Sequence, residues 1–183
     1  PNAVKINHGG SSNKTVTLPN ANMAGTNDLN IQSGILASGA GGNTLSVGGN
    51  VSAGTLTTTG QFTIGTIVMI GNQSQNITGG AAGATLANLQ INKTNATDVV
   101  TLQSGILTIA SSGLFDVQKG VFNLASGANN LDVTNATFRI QSTGTYKTGG
   151  KAVTVSGATI DFQPGSTYEF NGNSSTEQFI VGS

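Results

Sequence analysis

Leu107-Thr108-Ile109, Phe115-Asp116-Val117, Phe122-Asn123-Leu124, Leu131-Asp132-Val133, Phe138-Arg139-Ile140, Val153-Thr154-Val155, Ile160-Asp161-Phe162 and Tyr168-Glu169-Phe170 are copies of one apolar–polar–apolar unit. Gly, Ser, Asn, Thr and Ala fill the gaps, and a weaker member around Tyr146 occupies the one large interval. A period of two marks a strand with one face buried. Each unit has two inward side chains, so each strand is short. Steps of about seven to nine residues leave no room for strand-helix-strand units. They suit a chain that turns a corner every few residues and winds into a coil.

The charges set the number of strands per coil. With three, residues about 23 apart lie on neighbouring rungs. Asp116 then falls beneath Arg139, and Arg139 beneath Asp161, a ladder of alternating sign. Lys147 meets Glu169 on another face, and Thr108, Asp132 and Thr154 share the third. With two strands per coil, Asp116 would sit against Asp132, a destabilising like-charge pair. These charges all hold the middle, outward position, where solvation is expected; an unpaired buried charge costs several kcal/mol. The expectation is an all-β fold, a parallel β-solenoid with about three short strands per coil of ~22–24 residues. That makes roughly eight rungs, a rod on the order of 40 Å long at ~4.8 Å per rung.

Composition fits. The chain has 183 residues, 27 of them Gly, with 8% charged residues and zero net charge. Leu, Ile, Val and Phe make up about a quarter, above the level of a disordered chain. Seven basic residues scattered singly give no footprint for nucleic acid or for acidic lipid. There is no cysteine to cross-link the fold, and no apolar run approaches the ~20 residues of a membrane span. No signal peptide is visible, and Pro1 reads as a mature terminus or the start of a fragment.

The N-terminal part opens with Val4-Lys5-Ile6-Asn7-His8, then Val16-Thr17-Leu18, then Leu29-Asn30-Ile31. Residues 37–69 are the least regular, with clear units at Leu45-Ser46-Val47 and Phe62-Thr63-Ile64. There, Ile67-Val68-Met69-Ile70 is a continuous apolar run, as of a strand covered on both faces. An N-x-x-I-N start and the tetrad Gln32-Ser33-Gly34-Ile35 return as Asn88-Leu89-Gln90-Ile91-Asn92 and Gln103-Ser104-Gly105-Ile106. Residues 70–79 likewise resemble 170–182. The whole chain, 1–183, therefore reads as one continuous solenoid with two imperfect repeats, about 2–87 and 88–183. Its ends look like the two sides of one cut through a longer array. The expected assembly edges are Val4 and Ile6 at one end and Phe179, Ile180 and Val181 at the other.

The passages Asn171-Gly172-Asn173-Ser174-Ser175-Thr176-Glu177-Gln178-Phe179-Ile180, Asn88 to Lys93 and Val100 to Ile109 resemble repeat modules of large secreted surface proteins of the Bacteroidetes and related phyla. Those modules carry strings such as FNG…QTI, NLTIN and VTL…GTLTL. The resemblance spans about 62 to the end, and 2 to 36. It implies right-handed parallel β-helix segments in adhesins or long surface chains, with no shared catalytic residues.

Candidate chemistry is sparse. His8 is the single histidine, so a catalytic triad or histidine-rich metal site has no material. Asp116 and Asp161 lie two rungs apart with Arg139 between them, which reads as an ion-pair ladder rather than as the acid pair of a glycosidase. Extracellular solenoids raise structural calcium, but the glycine-rich calcium nonapeptide and any D-x-D-x-D loop are absent, and Asp28 and Asp98 stand alone. No cofactor is assigned. Thr55, Thr57, Thr58 and Thr59 cluster at one corner and do not recur at coil spacing, as an ice-binding face would need. Eight N-x-S/T sequons occur, at Asn13, Asn50, Asn72, Asn76, Asn92, Asn95, Asn135 and Asn173. Phe115, Phe122, Phe138, Phe162 and Phe170 fall at inward positions, and Tyr146, in an irregular strand, is the exception.

These readings point away from an enzyme and towards a structural or adhesive protein of the cell surface that stacks end to end into a fibre. Its partner would be its own kind, or a continuation of the array, with surface glycans as a second class. The rival readings are a glycan-binding or polysaccharide-processing β-helix module, by fold analogy alone, and a phage tail-fibre segment.

Overall fold

The computed structural model describes residues 4–7, 15–18, 23–33, 35–38, 43–53, 62–63, 65–79, 84–124, 130–149 and 153–170. All strand pairings among them are parallel, and they sort into three sides of one coil. The first face stacks Val4–Asn7, Leu29–Ser33, Val51–Ala53, Gln75–Thr78, Val99–Ser104, residues 121–124, residues 145–148 and Thr167–Phe170. The second stacks Met23–Thr26, Thr44–Val47, Thr66–Met69, residues 88–92, 114–117 and 137–140, then Thr159–Phe162. On the third, Thr15–Leu18, Ile35–Ser38 and Phe62–Thr63 form one short sheet. Residues 84–86, 107–109 and Asn130–Asp132 continue that side, and Asp132 bridges to Thr154.

Three strands per coil is thus the architecture, with rungs 20 to 27 residues apart in register. The anticipated columns are present: Asp116 opposite Arg139, Arg139 opposite Asp161, Lys147 opposite Glu169, and Thr108 opposite Asp132. Ile67, Val68 and Met69 are all buried, as that run's lack of alternation implied. The Gln-Ser-Gly-Ile tetrads both join a first-face strand to a third-face strand, three rungs apart. The two N-x-x-I-N passages, by contrast, lie on different faces, at Val4–Asn7 and at residues 88–92.

Period-two strands put one residue of each pair into the coil, and stacking turns those residues into columns. One column on the second face runs Leu45, Ile67, Leu89, Phe115, Phe138, Ile160. It is aliphatic as far as Leu89, aromatic at Phe115 and Phe138, and aliphatic again at Ile160. Phe115 packs edge-on against Phe122 and Phe138, with centroids 4.9 and 5.4 Å away. Tyr146 is no exception: it is fully buried and stacks on Tyr168 at 5.3 Å. Such ring pairs add roughly 0.5–1.5 kcal/mol beyond area burial.

Corners must let rungs approach closely. Ile106–Leu124 turns two of them inside one 19-residue strand. A Cβ on Gly113 would lie 2.1 Å from the Ala87 carbonyl oxygen, and one on Gly144 would lie 2.1 Å from that of Val117. Backbone abuts backbone there, and only glycine fits. Gly144→Ala is therefore expected to lower the urea midpoint by about 1–3 kcal/mol equivalent, as overpacking does. Phe138→Ala should cost about 3–5 kcal/mol through the cavity it leaves. Wild-type midpoints for both variants would contradict the packing described.

Candidate functional site

Four features of this rod bear on function: the charge ladders, one internal corner, a ladder of side-chain hydrogen bonds, and the coil ends.

On the second face, Arg139 Nε donates to Asp161 Oδ2 at 2.7 Å. Gln163 Nε2 donates to the other oxygen, also at 2.7 Å. The hydrogen bonds from Arg139 and then Gln163 hold the Asp161 carboxyl below the usual aspartate range, against a small opposing effect of burial. On the first face, Lys147 Nζ pairs with Glu169 at 2.7 Å. That pair edges an open groove lined by Thr97, Val99, Val121 and Thr145.

Asp116 departs from the expected pattern. It holds the outward position, yet it is only 1% exposed, and it does not engage Arg139. Its carboxylate accepts from Gln118 Nε2 at 3.0 Å and from Gln141 Nε2 at 3.0 Å, one rung further along. Amide donors replace both the water and the ion pair that an outward aspartate was expected to have. The signal was present: Asp116-Val117-Gln118, Arg139-Ile140-Gln141 and Asp161-Phe162-Gln163 each place a glutamine two residues after the charge.

The internal corner was not anticipated. Lys93 continues the inward parity of Leu89 and Ile91, so its side chain enters the coil and is 2% exposed. Its Nζ donates to the carbonyl oxygens of Ile70 and Gln73, both at 2.9 Å, and to Gln75 Oε1 in a close contact. Gln75, buried in turn, donates Nε2 to the carbonyls of Val47 at 3.1 Å and Gly49 at 2.5 Å. Two side chains thus bond carbonyls on two earlier rungs at the turn, that of Val47 in addition to its backbone bond from the Ile70 N–H. Burial pushes the Lys93 ammonium below its usual range, and Asp98 partly restores it.

A companion ladder fastens the starts of the first-face strands. The Asn50 amide N–H donates to Asp28 Oδ1 at 2.7 Å and the Asn76 N–H to Asn50 Oδ1 at 2.8 Å. Gln103 Nε2 then donates to Asn76 Oδ1 at 3.1 Å. On the second face, Asn88 donates to the Gly65 carbonyl at 2.6 Å and accepts from the Leu114 N–H at 2.9 Å, joining three rungs.

At the coil ends, Val4–Asn7 pairs only with Leu29–Ser33, and Thr167–Phe170 only with residues 145–148, among the described residues. Ile6 is buried and Val4 packs against the core, whereas Phe170 is 41% exposed at the other end. Phe179, Ile180 and Val181 lie outside the described residues, as does His8. Among the described residues no group of three or more His, Asp or Glu side chains converges to hold a metal ion. No family model, no curated protein and no solved structure matches this chain.

Lys93 sets a pH dependence. Its folded value lies below its unfolded one, so between the two the unfolded chain holds the extra proton and stability rises with pH. The rise ends near the ordinary lysine range. Lys93→Met removes the donor from three acceptors, at about 1–3 kcal/mol, and should flatten that rise. Urea titrations from neutral to alkaline pH check this; an identical slope in the variant would refute it.

Proposed function

We propose that this chain is an extracellular structural and adhesive protein, a β-solenoid segment that stacks end to end into a surface fibre. The observation that carries the reading is the match between its two ends. Val4, Leu29, Val51, Ile77, Leu102, Leu124, Thr148 and Phe170 form one column through the rod. Its first member lies on a strand paired on one side alone among the described residues, and its last is a half-exposed aromatic in the position that the six rungs between them bury. A strand laid in parallel on Thr167–Phe170 continues both the backbone pairing and this column. Val4–Asn7 of a second copy has the length, the alternation and the same face to do so. Backbone edges supply affinity in such strand addition, and side-chain columns supply register.

The surface agrees with a passive rod. Its charges are few and balanced, and those on the ladders are tied to neighbours on the same face. The resemblance of the repeats to secreted surface modules points the same way.

Electron microscopy of the purified protein at two concentrations tests the proposal. Long uniform filaments with an axial repeat on the order of 40 Å are expected, and Phe170→Asp should shorten them without unfolding the subunit. Discrete short particles at both concentrations would sink the polymer reading.

A further inference from the structure

We propose that Asn72 is an attachment point for an N-linked glycan, an assignment that rests on the extracellular reading above. Six of the sequon asparagines fall within the described residues, and all six side chains are exposed. Exposure of the asparagine alone does not distinguish them. A transferase must take hold of three consecutive residues, the asparagine, its neighbour and the hydroxyl residue.

The coil decides which tripeptides it can reach. In four sequons the middle residue is buried: Val51 after Asn50, Ile77 after Asn76, Lys93 after Asn92 and Ala136 after Asn135. Lifting any of these into an enzyme cleft means pulling a rung out of the core. Only Asn72-Gln73-Ser74 and Asn95-Ala96-Thr97 show all three residues to solvent, and both lie outside the strands.

Between these two, the amide nitrogen that would take the sugar separates the cases. Asn95 Nδ2 donates to both Asp98 oxygens, at 3.1 and 3.4 Å. In Asn72 it is the oxygen that is engaged, accepting from Gln73 Nε2 at 3.2 Å. Its Nδ2 has no partner among the described residues. Gly71, with φ of 88°, turns the chain outward just before it. The Thr94 N–H donates to the Gly71 carbonyl at 3.1 Å, so Asn95 sits one rung along the same corner. A glycan on Asn72 would overhang that second sequon, and one chain per corner is expected.

The step balances with an activated sugar diphosphate as donor. The anomeric C–O bond to phosphate breaks, its electron pair leaves with the diphosphate, Nδ2 bonds to the anomeric carbon, and one Nδ2 proton passes to base.

Glycopeptide mapping by mass spectrometry of protein isolated from its own cells is the test. The peptide containing Asn72 should carry a saccharide mass, lost in Asn72→Gln, while peptides with Asn50, Asn76, Asn92 and Asn135 stay unmodified. Recovery of the Asn72 peptide only in unmodified form, or glycan at those four sites instead, would overturn the assignment. Surface labelling of intact cells keeps the two claims apart. A labelled protein without glycan at Asn72 fails this site alone, and an unlabelled one fails the extracellular reading.

Discussion

No rung of this protein can stand by itself. A strand of three or four residues offers two inward side chains and a handful of backbone hydrogen bonds, far too little to offset the entropy of ordering it. Each gains its stability only from the rung below and the rung above, through parallel pairing at about 4.8 Å. Everything else follows from that stacking. Like must lie over like, so inward residues become columns, and the corners must let backbones meet, as at Gly113 and Gly144. Among the described residues, Val4–Asn7 and Thr167–Phe170 each have a rung on one side alone.

Stacking creates a second problem at the corners, where pairing lapses and carbonyls turn inward. The chain answers with side chains that reach back along the axis. Lys93 serves two carbonyls of the preceding turn, and Gln75 serves two of the turn before that. Asp28 and Asn50 do the converse at strand starts, each accepting a backbone N–H of the next rung, from Asn50 and Asn76 respectively. Each of these residues links rungs through a polar group, so each ties stability to register, a tie that aliphatic columns leave looser. A one-rung slip would cost the hydrogen bonds before it cost much buried area.

The strand pattern was legible because alternation needs only sequence spacing, and the number of strands per coil because opposite charges 22 or 23 residues apart prefer to be neighbours. Asp116, Arg139 and Asp161 do share a column. What the sequence reading missed was polar residues in inward or covered places. Lys93 and Gln75 follow the parity of Ile91 and Ile77, but a rule that assigns polar side chains to solvent passes over them. The same rule left Asp116 solvated, although Gln118 and Gln141, two residues after Asp116 and Arg139, supply its donors. Both Gln-Ser-Gly-Ile tetrads link a first-face strand to a third-face strand. The N-x-x-I-N strands fall on different faces, since any face accepts that alternation.

The most direct test of the parallel three-strand register uses the absence of cysteine in the sequence. Thr145 and Thr167 are register partners on the outer side of the first face. Adjacent strand positions lie within the ~4.4–6.8 Å Cα separation that a disulfide spans. Thr145→Cys with Thr167→Cys should oxidise to an intramolecular bond, read by mass spectrometry after digestion. Val99→Cys with Thr167→Cys, three rungs apart on the same face, should stay reduced within the monomer. A reduced first pair, or an intramolecular bond in the second, would contradict the rung-on-rung stacking on which the fold rests.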